Sequence, residues 1–234
     1  MRRKRGIFIT FEGLDGCGKT TQLARLKETL AARQHDVLAT REPGGSAIGE
    51  RIRSILLDSR TAGLSATAEL ALMFADRAQH VDQIIEPALA TGKLVLCDRY
   101  TDSTEAYQGH GRELGSKVVL NLHRDLCRDL WPDLTLLLDS DLDTSVLRAR
   151  SRNRKANSCE GRFEGENAAF FRRVRKGFDS IAQRETRRLT KIPSGSIQDV
   201  ETKVLQVVEK HFPQLATRVL VYGKRVQPRL EKRQ

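Results

Sequence analysis

One eight-residue stretch near the amino terminus constrains the fold more than any other part of the sequence. Residues 13–20 match the pattern G-x-x-x-x-G-K-[S/T] in full. The apolar run Ile7–Phe11 precedes them, and leucines at helical spacing follow between Thr21 and Arg33. In the context of strand, loop and helix, this pattern forms a phosphate-binding loop. We therefore predict such a loop from Gly13, Leu14, Asp15, Gly16, Cys17, Gly18, Lys19 and Thr20.

The residue types of this loop suit a bound triphosphate. Its glycines let successive backbone N–H groups point at phosphate oxygens, at the positive end of the helix dipole. We expect Lys19 to reach the β- and γ-phosphates and the Thr20 hydroxyl to complete the coordination of Mg²⁺. The alternative is a glycine-rich turn with an incidental lysine.

Apolar blocks alternate with helical patterns along the rest of the chain, which predicts a parallel sheet covered by helices. Further strands are predicted at Val37–Thr40, Leu94–Cys97 and Leu134–Leu138, with a weak fifth strand at Lys191 and Ile192. Helices are predicted at 21–33, through Ile48, Ile52 and Leu56, at 65–80, in a further piece that ends near Gly92, through Val118, Leu122 and Leu126, at 142–152, from Phe170 to Ile181, and at 200–212.

Composition and charge exclude several classes of protein. The 234 residues suit one α/β domain, and no apolar run approaches the roughly 20 residues that span a bilayer. Of the net charge of +11, residues 2–5 carry +4 and residues 218–234 carry +5, which leaves +2 between them. A nearly neutral body argues against nucleic acid as a partner. The four cysteines form no C-x-x-C pair, so we expect a reducing, cytoplasmic setting. Glu12 and Asp15 interrupt the apolar segment that follows the basic N-terminus, so we expect no export signal.

The end of the Leu94–Cys97 strand separates two kinds of phosphate-loop protein. The N-K-x-D sequence with which GTPases bind guanine is absent. A phosphotransferase needs an arginine at another strand end to bind an acceptor phosphate, and Arg99 is in that place. We expect Asp98 to lie beside Thr20 and help hold the hydrated Mg²⁺. A simple Asp-Arg pair that closes the strand is the alternative.

The ordered motifs resemble the bacterial-type thymidylate kinases, within the P-loop nucleoside monophosphate kinases. The resemblance runs from Gly6 to about Phe212. It rests on the blocks 12–21 (EGLDGCGKTT), 41–45 (REPGG), 98–100 (DRY) with 102–104 (DST) and 106–109 (AYQG), and 162–164 (RFE) with 170–175 (FFRRVR).

The resemblance implies the roles of the acceptor-site residues. Phe74 stacks on the thymine ring and Arg77 hydrogen-bonds to its carbonyl edge, with Thr104 and Gln108 also meeting the base. The remaining implied contacts are Tyr107 near the 2′ position, Asp15 at the 3′-hydroxyl, and Arg53 as a further arginine of the pocket.

The resemblance also implies a mobile lid whose arginines neutralise the migrating phosphoryl group. The lid spans about residues 148–165, within a domain of residues 6–213 that lies between basic tails at 1–5 and 214–234. The catalytic candidates are Lys19, Arg99 and the lid arginines Arg148, Arg150, Arg152 and Arg154, with Arg152 first among the latter.

The fold implied is a three-layer P-loop NTPase with a five-stranded parallel sheet. The reaction implied is phosphorylation of dTMP by Mg-ATP, a step of dTTP biosynthesis, in a homodimer built from helices that flank the acceptor site. Two alternatives stay open. One is a kinase of the same fold for another nucleoside monophosphate or a deoxynucleoside, and the other is a nucleotide-dependent nucleic-acid-binding protein, favoured by the basic ends.

Overall fold

The architecture is a single parallel sheet covered by helices on both faces. The computed structural model describes residues 5–61, 63–141, 144–145, 147–148, 151, 161–163 and 165–216. The strand order is β2-β3-β1-β4-β5, and every pairing is parallel. The strands are β1 (Phe8–Glu12), β2 (Val37–Arg41), β3 (Leu94–Asp98), β4 (Leu134–Leu138) and β5 (Leu189–Ile192). The predicted five-stranded sheet is confirmed, with strand ends within two residues of the prediction.

The helices follow the strands in the predicted alternation. They are α1 (Lys19–Ala32), α2 (Ala47–Leu57), α3 (Ala66–His80), α4 (Glu86–Ala90), α5 (Thr101–Thr104), α6 (Ser116–Leu126), α7 (Ala168–Arg184) and α8 (Ile197–His211). A π-helical turn, Val81–Ile85, joins α3 to α4, and a 3-10 turn, Pro213–Leu215, follows α8. Serine side chains cap α2, α3 and α8 by accepting a hydrogen bond from a first-turn N–H.

One helical segment was not predicted from the sequence. Residues Thr101–Thr104 form α5, which continues directly into a second π-helical stretch, Glu105–Gly111. Threonine, serine and glycine dominate this segment, and none of them favours a helix interior. Tertiary packing supplies the stability instead, because residues 101–109 are all buried and the π-helical stretch packs against α7.

The core has one apolar cluster on one face of the sheet and two on the other. Ile9 and Phe11 of β1 pack with leucines of α1 and valines of α8. Phe8, which points to the opposite face, packs with α3 and α6. This alternation follows from the two-residue period of a strand. Both helical layers therefore fix the carboxyl end of β1, where the predicted phosphate loop begins.

The predicted lid and tails are described only in part. Within the lid, the structure describes Arg148, residue 151 and residues 161–163 and 165, so Arg150, Arg152 and Arg154 lie outside the described residues. Of the tails, Arg5 pairs with Asp133 at 2.9 Å, and Leu215 is buried in the core.

Candidate active site

A cavity of about 880 Å³ opens at the carboxyl edge of the sheet. It lies where β1 is flanked by β3 on one side and β4 on the other, the place where the strand order of an α/β sheet reverses. The loop after β1 forms one wall. The opposite wall comes from α2, α3 and the residues that follow β3. Predicted residues of both the donor and the acceptor site line this one cavity, namely Asp15, Gly16, Gly18, Lys19, Thr20, Arg53, Arg77, Asp98, Arg99, Thr104, Tyr107 and Gln108.

The loop after β1 has the backbone conformation that the motif predicts. Gly13 and Gly18 have φ values of 133° and 100°, which side chains other than glycine rarely adopt. A Cβ atom on Gly13 would also lie 2.6 Å from the carbonyl oxygen of Leu138. The helix α1 begins immediately afterwards at Lys19. Its free N–H groups and dipole therefore face the cavity end formed by this loop.

Three polar side chains of the predicted donor site lie at the mouth of this loop. The Lys19 Nζ donates to the carbonyl oxygens of Gly13, at 3.1 Å, and Leu14, at 2.8 Å. The Thr20 hydroxyl donates to Asp98 Oδ2 at 2.5 Å. The structure therefore brings the two predicted Mg²⁺ residues together, as hard oxygen ligands suited to that cation.

Arg99 lies between the phosphate loop and the acceptor side of the cavity. Its guanidinium donates to Asp15 Oδ1 at 2.6 Å and to the Gly13 carbonyl oxygen at 3.0 Å. The Tyr107 hydroxyl donates to the other oxygen of Asp15 at 2.9 Å, and the Arg99 guanidinium carbon lies 5.1 Å from the Tyr107 ring centre. Burial alone would raise the pKa of Asp15, but the charges of Arg99 and Lys19 and the Tyr107 hydrogen bond outweigh it and lower that pKa.

The buried carboxyl group of Glu12 holds the backbone that follows Arg99 in place. Glu12, fully buried at the end of β1, accepts from the backbone N–H of Tyr100 at 2.7 Å and from the Ser103 hydroxyl. Burial, followed by the nearby charge of Asp102, raises the pKa of Glu12 to about 8. Arg99 has a left-handed φ of 71°, an uncommon conformation for a residue other than glycine. The two hydrogen bonds to Glu12 hold the residues that follow Arg99 and so stabilise this turn.

Arg77 is buried in the opposite wall of the cavity, and one of its nitrogen atoms has no hydrogen-bond partner among the described residues. Its Nε donates to Glu42 at 2.7 Å and its Nη2 to the Thr104 hydroxyl at 2.8 Å. Nη1 is buried and has no partner in the described part of the chain. Burial alone would lower the pKa of Arg77, but the charge of Glu42 outweighs it and raises that pKa. An unsatisfied buried donor costs about 1–3 kcal/mol, so this position is suited to a ligand acceptor atom.

The carboxylate of Glu42 organises the wall behind Arg77. It also pairs with His80 Nδ1 at 2.9 Å, while the other ring nitrogen of His80 bonds to Thr40. Asp76 accepts from the backbone N–H of Gly44, and burial together with the charge of Glu42 raises the pKa of Asp76 to about 7. Glu42, His80 and Cys97 lie close enough to suggest a cation site. Since both His80 nitrogens already have partners, we regard the cluster as a hydrogen-bond network that fixes Arg77.

The prediction for Phe74 is wrong. Its side chain is only 1% exposed and packs in the core with Leu70, Val81 and Tyr100, away from the cavity wall. Met73 lines the cavity instead. Met73 and Phe74 precede Arg77 by four and three residues, and both spacings bring a side chain near Arg77 on the helix. The Phe74 ring centre lies 5.0 Å from the Arg77 guanidinium carbon, but its ring packs with Phe8, Val95 and Cys97 of the sheet. The spacing to Arg77 does not distinguish Met73 from Phe74, so the sequence held no signal for this choice.

The other predicted acceptor residues also lie on the cavity wall. Thr104, Tyr107, Gln108 and Arg53 line it, and Arg53 donates to the Pro43 carbonyl oxygen at 3.0 Å. Arg148, exposed in the described part of the lid, lines it as well. Sequence reasoning missed the wall residues Glu42, Asp76, Ser103 and Phe163 as parts of the site.

Comparisons with known proteins agree with this geometry. The family model described as "Thymidylate kinase" matches residues 11–204. A thymidylate kinase of Desulfovibrio desulfuricans is 50% identical over 202 residues, which is 86% of this chain and 92% of the relative. A thymidylate kinase of Geobacter sulfurreducens is 45% identical over 210 residues, or 89% of this chain and 99% of the relative.

A solved structure gives the same result. The crystal structure of thymidylate kinase from Ehrlichia chaffeensis superposes with a TM-score of 0.71 at 34% identity, covering 88% of this chain and 99% of that one. The family-model match, residues 11–204, includes the phosphate loop, Arg77 and Arg99. With sequence, fold and cavity in agreement, we conclude that this chain belongs to the thymidylate kinase family.

Proposed function

We propose that this chain transfers the γ-phosphoryl group of ATP to dTMP, giving dTDP and ADP, with Lys19, Arg99 and Arg77 as principal binding residues. Membership of the thymidylate kinase family carries the reaction, and ATP as donor and a place in dTTP biosynthesis follow from the family. One observation supports the residue roles most strongly. A single cavity has an anion-binding loop at one end and a buried guanidinium with an unpaired donor at the other.

At the donor end, the loop of residues 13–20 holds the ATP phosphates. Backbone N–H groups at the start of α1 supply fixed dipoles, and Lys19 exchanges its two carbonyl partners for phosphate oxygens. Thr20 and Asp98 hold Mg²⁺, directly or through its water molecules, because both present oxygen atoms at the same place. When bound, Mg²⁺ neutralises charge on the phosphate oxygens.

At the acceptor end, side chains hold dTMP. Arg99 binds its phosphate through two parallel N–H groups on one edge of the planar guanidinium, next to the loop that holds ATP. Asp15 and Tyr107, already paired with each other, flank the deoxyribose. Arg77 Nη1 donates to a base carbonyl, with Thr104 and Gln108 beside it and Met73 against the ring.

Catalysis is positioning plus electrostatic stabilisation, with no covalent enzyme intermediate. Lys19 and Arg99 both donate to the Gly13 carbonyl oxygen. Their two positive charges therefore lie close together, where the donor and acceptor phosphates meet. The lid arginines complete the positive charge around the migrating group. Arg148 already lines the cavity, and Arg150, Arg152 and Arg154 are proposed for the same task from the sequence alone.

A substrate panel tests the reaction. Purified protein with Mg-ATP is assayed for ADP release with dTMP, dUMP, dCMP, dGMP, dAMP and thymidine. We expect dTMP to give the highest kcat/KM and thymidine to give none, because no acceptor phosphate is present for Arg99. Equal rates with all monophosphates would defeat the assignment of dTMP, and turnover of thymidine would indicate a nucleoside kinase.

The assembly proposed is a homodimer through helices that flank the acceptor site. Helix α6 exposes Val118 and Leu126 at 45% and 48%, two turns apart on one face. Light scattering of the purified protein should give twice the chain mass, and Val118→Glu should shift it to the monomer mass.

In the described part of the chain, no helix is long and apolar enough to cross a bilayer. Cys17, Cys97 and Cys127 are free thiols, which supports the cytoplasm as the proposed location.

A further inference from the structure

Glu69 is a fully buried carboxylate next to the base end of the cavity, and no step of the proposed reaction uses it. It lies on α3, two turns before Arg77, with a side chain that is 0% exposed. A charged group is this deeply buried only where partners compensate its lost hydration. Its three partners come from two separate parts of the chain, the segment of residues 108–112 and Arg162.

The carboxylate of Glu69 is hydrogen-bonded on both oxygens. Gln108 Nε2 donates to Oε1 at 2.7 Å. Arg162 Nη1 lies 2.7 Å from Oε2, and Arg112 Nη2 lies 3.1 Å from the same oxygen. Both oxygens of Glu69 therefore face N–H donors, from two guanidinium groups and one amide, and act as hydrogen-bond acceptors.

This acceptor-only group fixes the orientation of the Gln108 amide. The amide has one end that only donates and one that only accepts, so the end facing a carboxylate has to be the NH₂ group. Its carbonyl oxygen is then turned away from Glu69. Gln108 is also part of the cavity wall. The amide therefore offers an acceptor, and not a donor, to a bound base.

The acceptor on Gln108 complements the unpaired donor on Arg77. Arg77 Nη1 is a buried donor without a partner among the described residues, and both side chains line the cavity. Thymine has a carbonyl acceptor at position 4 beside an N–H donor at position 3. Cytosine has the reverse pattern at the same two positions. The pair of side chains thus matches thymine and leaves two unpaired groups against cytosine.

We infer that Glu69 is a positioning residue for base selection: it fixes Gln108 as a hydrogen-bond acceptor and so disfavours cytosine. This inference rests on the proposed function, since it assumes that the base of dTMP occupies this end of the cavity.

The arginine partners of Glu69 are held in place by other contacts as well. Arg162 Nε donates to the Leu56 carbonyl oxygen at 2.6 Å, and Arg112 Nη1 pairs with Glu166 at 2.6 Å. A Glu69→Gln change keeps the shape of the side chain and one acceptor oxygen. It also adds an NH₂ group, which lets the Gln108 amide rotate by half a turn. The main expected consequence is loss of amide orientation at Gln108.

The test is the ratio of kcat/KM for dTMP to that for dCMP. Glu69→Gln should lower this ratio about 10-fold, chiefly by raising KM for dTMP. The matched control is Glu105→Gln. Glu105 is equally buried, on the neighbouring helical segment, but its two oxygens pair with Arg184 at 2.7 Å and it does not line the cavity. In the Glu105→Gln variant, the ratio of kcat/KM for dTMP to that for dCMP should stay at the wild-type value.

A double-mutant cycle separates positioning from general damage. In a Gln108→Leu background, Glu69→Gln should leave the ratio unchanged, because the side chain through which Glu69 acts is gone. An equal fall in both backgrounds, or no fall in the single variant, would overturn the inference while leaving the proposed function intact. If Glu69→Gln fails to fold, Glu69→Asp keeps the charge but withdraws it from Gln108, and an unchanged ratio there would overturn the inference. Wild-type protein without a preference for dTMP would sink the proposed function and this inference together.

Discussion

The two ends of the cavity are built from different parts of the polypeptide. The donor end consists mainly of main chain, in a loop shaped by glycines with positive φ and followed at once by α1. The acceptor end consists of side chains from α3 and from the segment after β3, held in place by buried carboxylates such as Glu12, Glu42 and Glu69. A main-chain site depends on a short local sequence. A side-chain site depends on which face of each helix meets the cavity.

The largest effect that this comparison predicts is at the donor end. Lys19→Ala should reduce kcat about 10³-fold while leaving KM for dTMP nearly unchanged, because one charge that stabilises the transferred phosphoryl group is lost. Lys27→Ala, at an exposed position on the same helix, should keep wild-type kcat. Steady-state kinetics measure both, and circular dichroism checks that each variant is folded. A Lys19→Ala variant with near-normal kcat would remove the loop from the mechanism.

The next effect separates core from site at the acceptor end. Phe74→Ala should cost about 3 kcal/mol of unfolding free energy, because it leaves a cavity in the core, with little change in KM for dTMP. Met73→Ala should instead raise KM for dTMP about 10-fold. Urea denaturation and kinetics on both variants give the comparison. The reverse outcome, in which Phe74→Ala selectively weakens dTMP binding, would restore the original prediction for that residue.

A third effect tests the binding of the acceptor phosphate. Arg99→Lys should lower kcat/KM for dTMP about 10²-fold, because an ammonium group cannot replace two parallel guanidinium hydrogen bonds. KM for ATP should change much less. Arg25→Lys, on the far side of α1 where Arg25 pairs with Glu201, is the matched control. Equal losses in dTMP and ATP parameters would mean that Arg99 supports the phosphate loop rather than the acceptor.

The smallest effect concerns stability and pH. Glu12 in the folded protein keeps its proton up to about pH 8, whereas its ordinary pKa is 4.5. Between these values the folded state binds more protons than the unfolded state, so stability falls as pH rises. Asp76 acts in the same direction only up to about pH 7. From pH 7 to 8 we therefore expect Glu12 to lower the unfolding free energy by about 1 kcal/mol.

Glu12→Gln isolates this contribution. Urea denaturation at pH 7 and pH 8 should show a smaller loss of stability in the variant than in the wild type. Parallel losses in the two proteins would show that Glu12 is ionised in the folded state at neutral pH.

The difference between the two ends also explains what the sequence could predict. The loop of residues 13–20 was predictable because its conformation follows from glycines and a lysine at fixed spacing. The strands were predictable because each is an apolar block between turns. Arg99 was predicted from its position at a strand end, and Arg77 and Tyr107 were placed through the family resemblance. All three line the cavity.

What the sequence could not predict depends on tertiary packing. The choice between Met73 and Phe74 turns on one residue of helix phase, and an aromatic side chain is as common in a core as in a base pocket. The segment 101–111 has poor helix formers and is helical through its contacts with α7. Glu69 has the sequence pattern of a solvated helix residue, and only its contacts with Gln108, Arg112 and Arg162 give it a place near the site.

The most direct measurement of the central claim is a crystal structure with dTMP and a non-hydrolysable ATP analogue bound together. We expect the analogue's phosphates on the loop of residues 13–20, the dTMP phosphate on Arg99, and the base between Met73 and Arg77 Nη1. An Arg99 side chain turned away from dTMP, with packed side chains filling the acceptor end of the cavity, would contradict it.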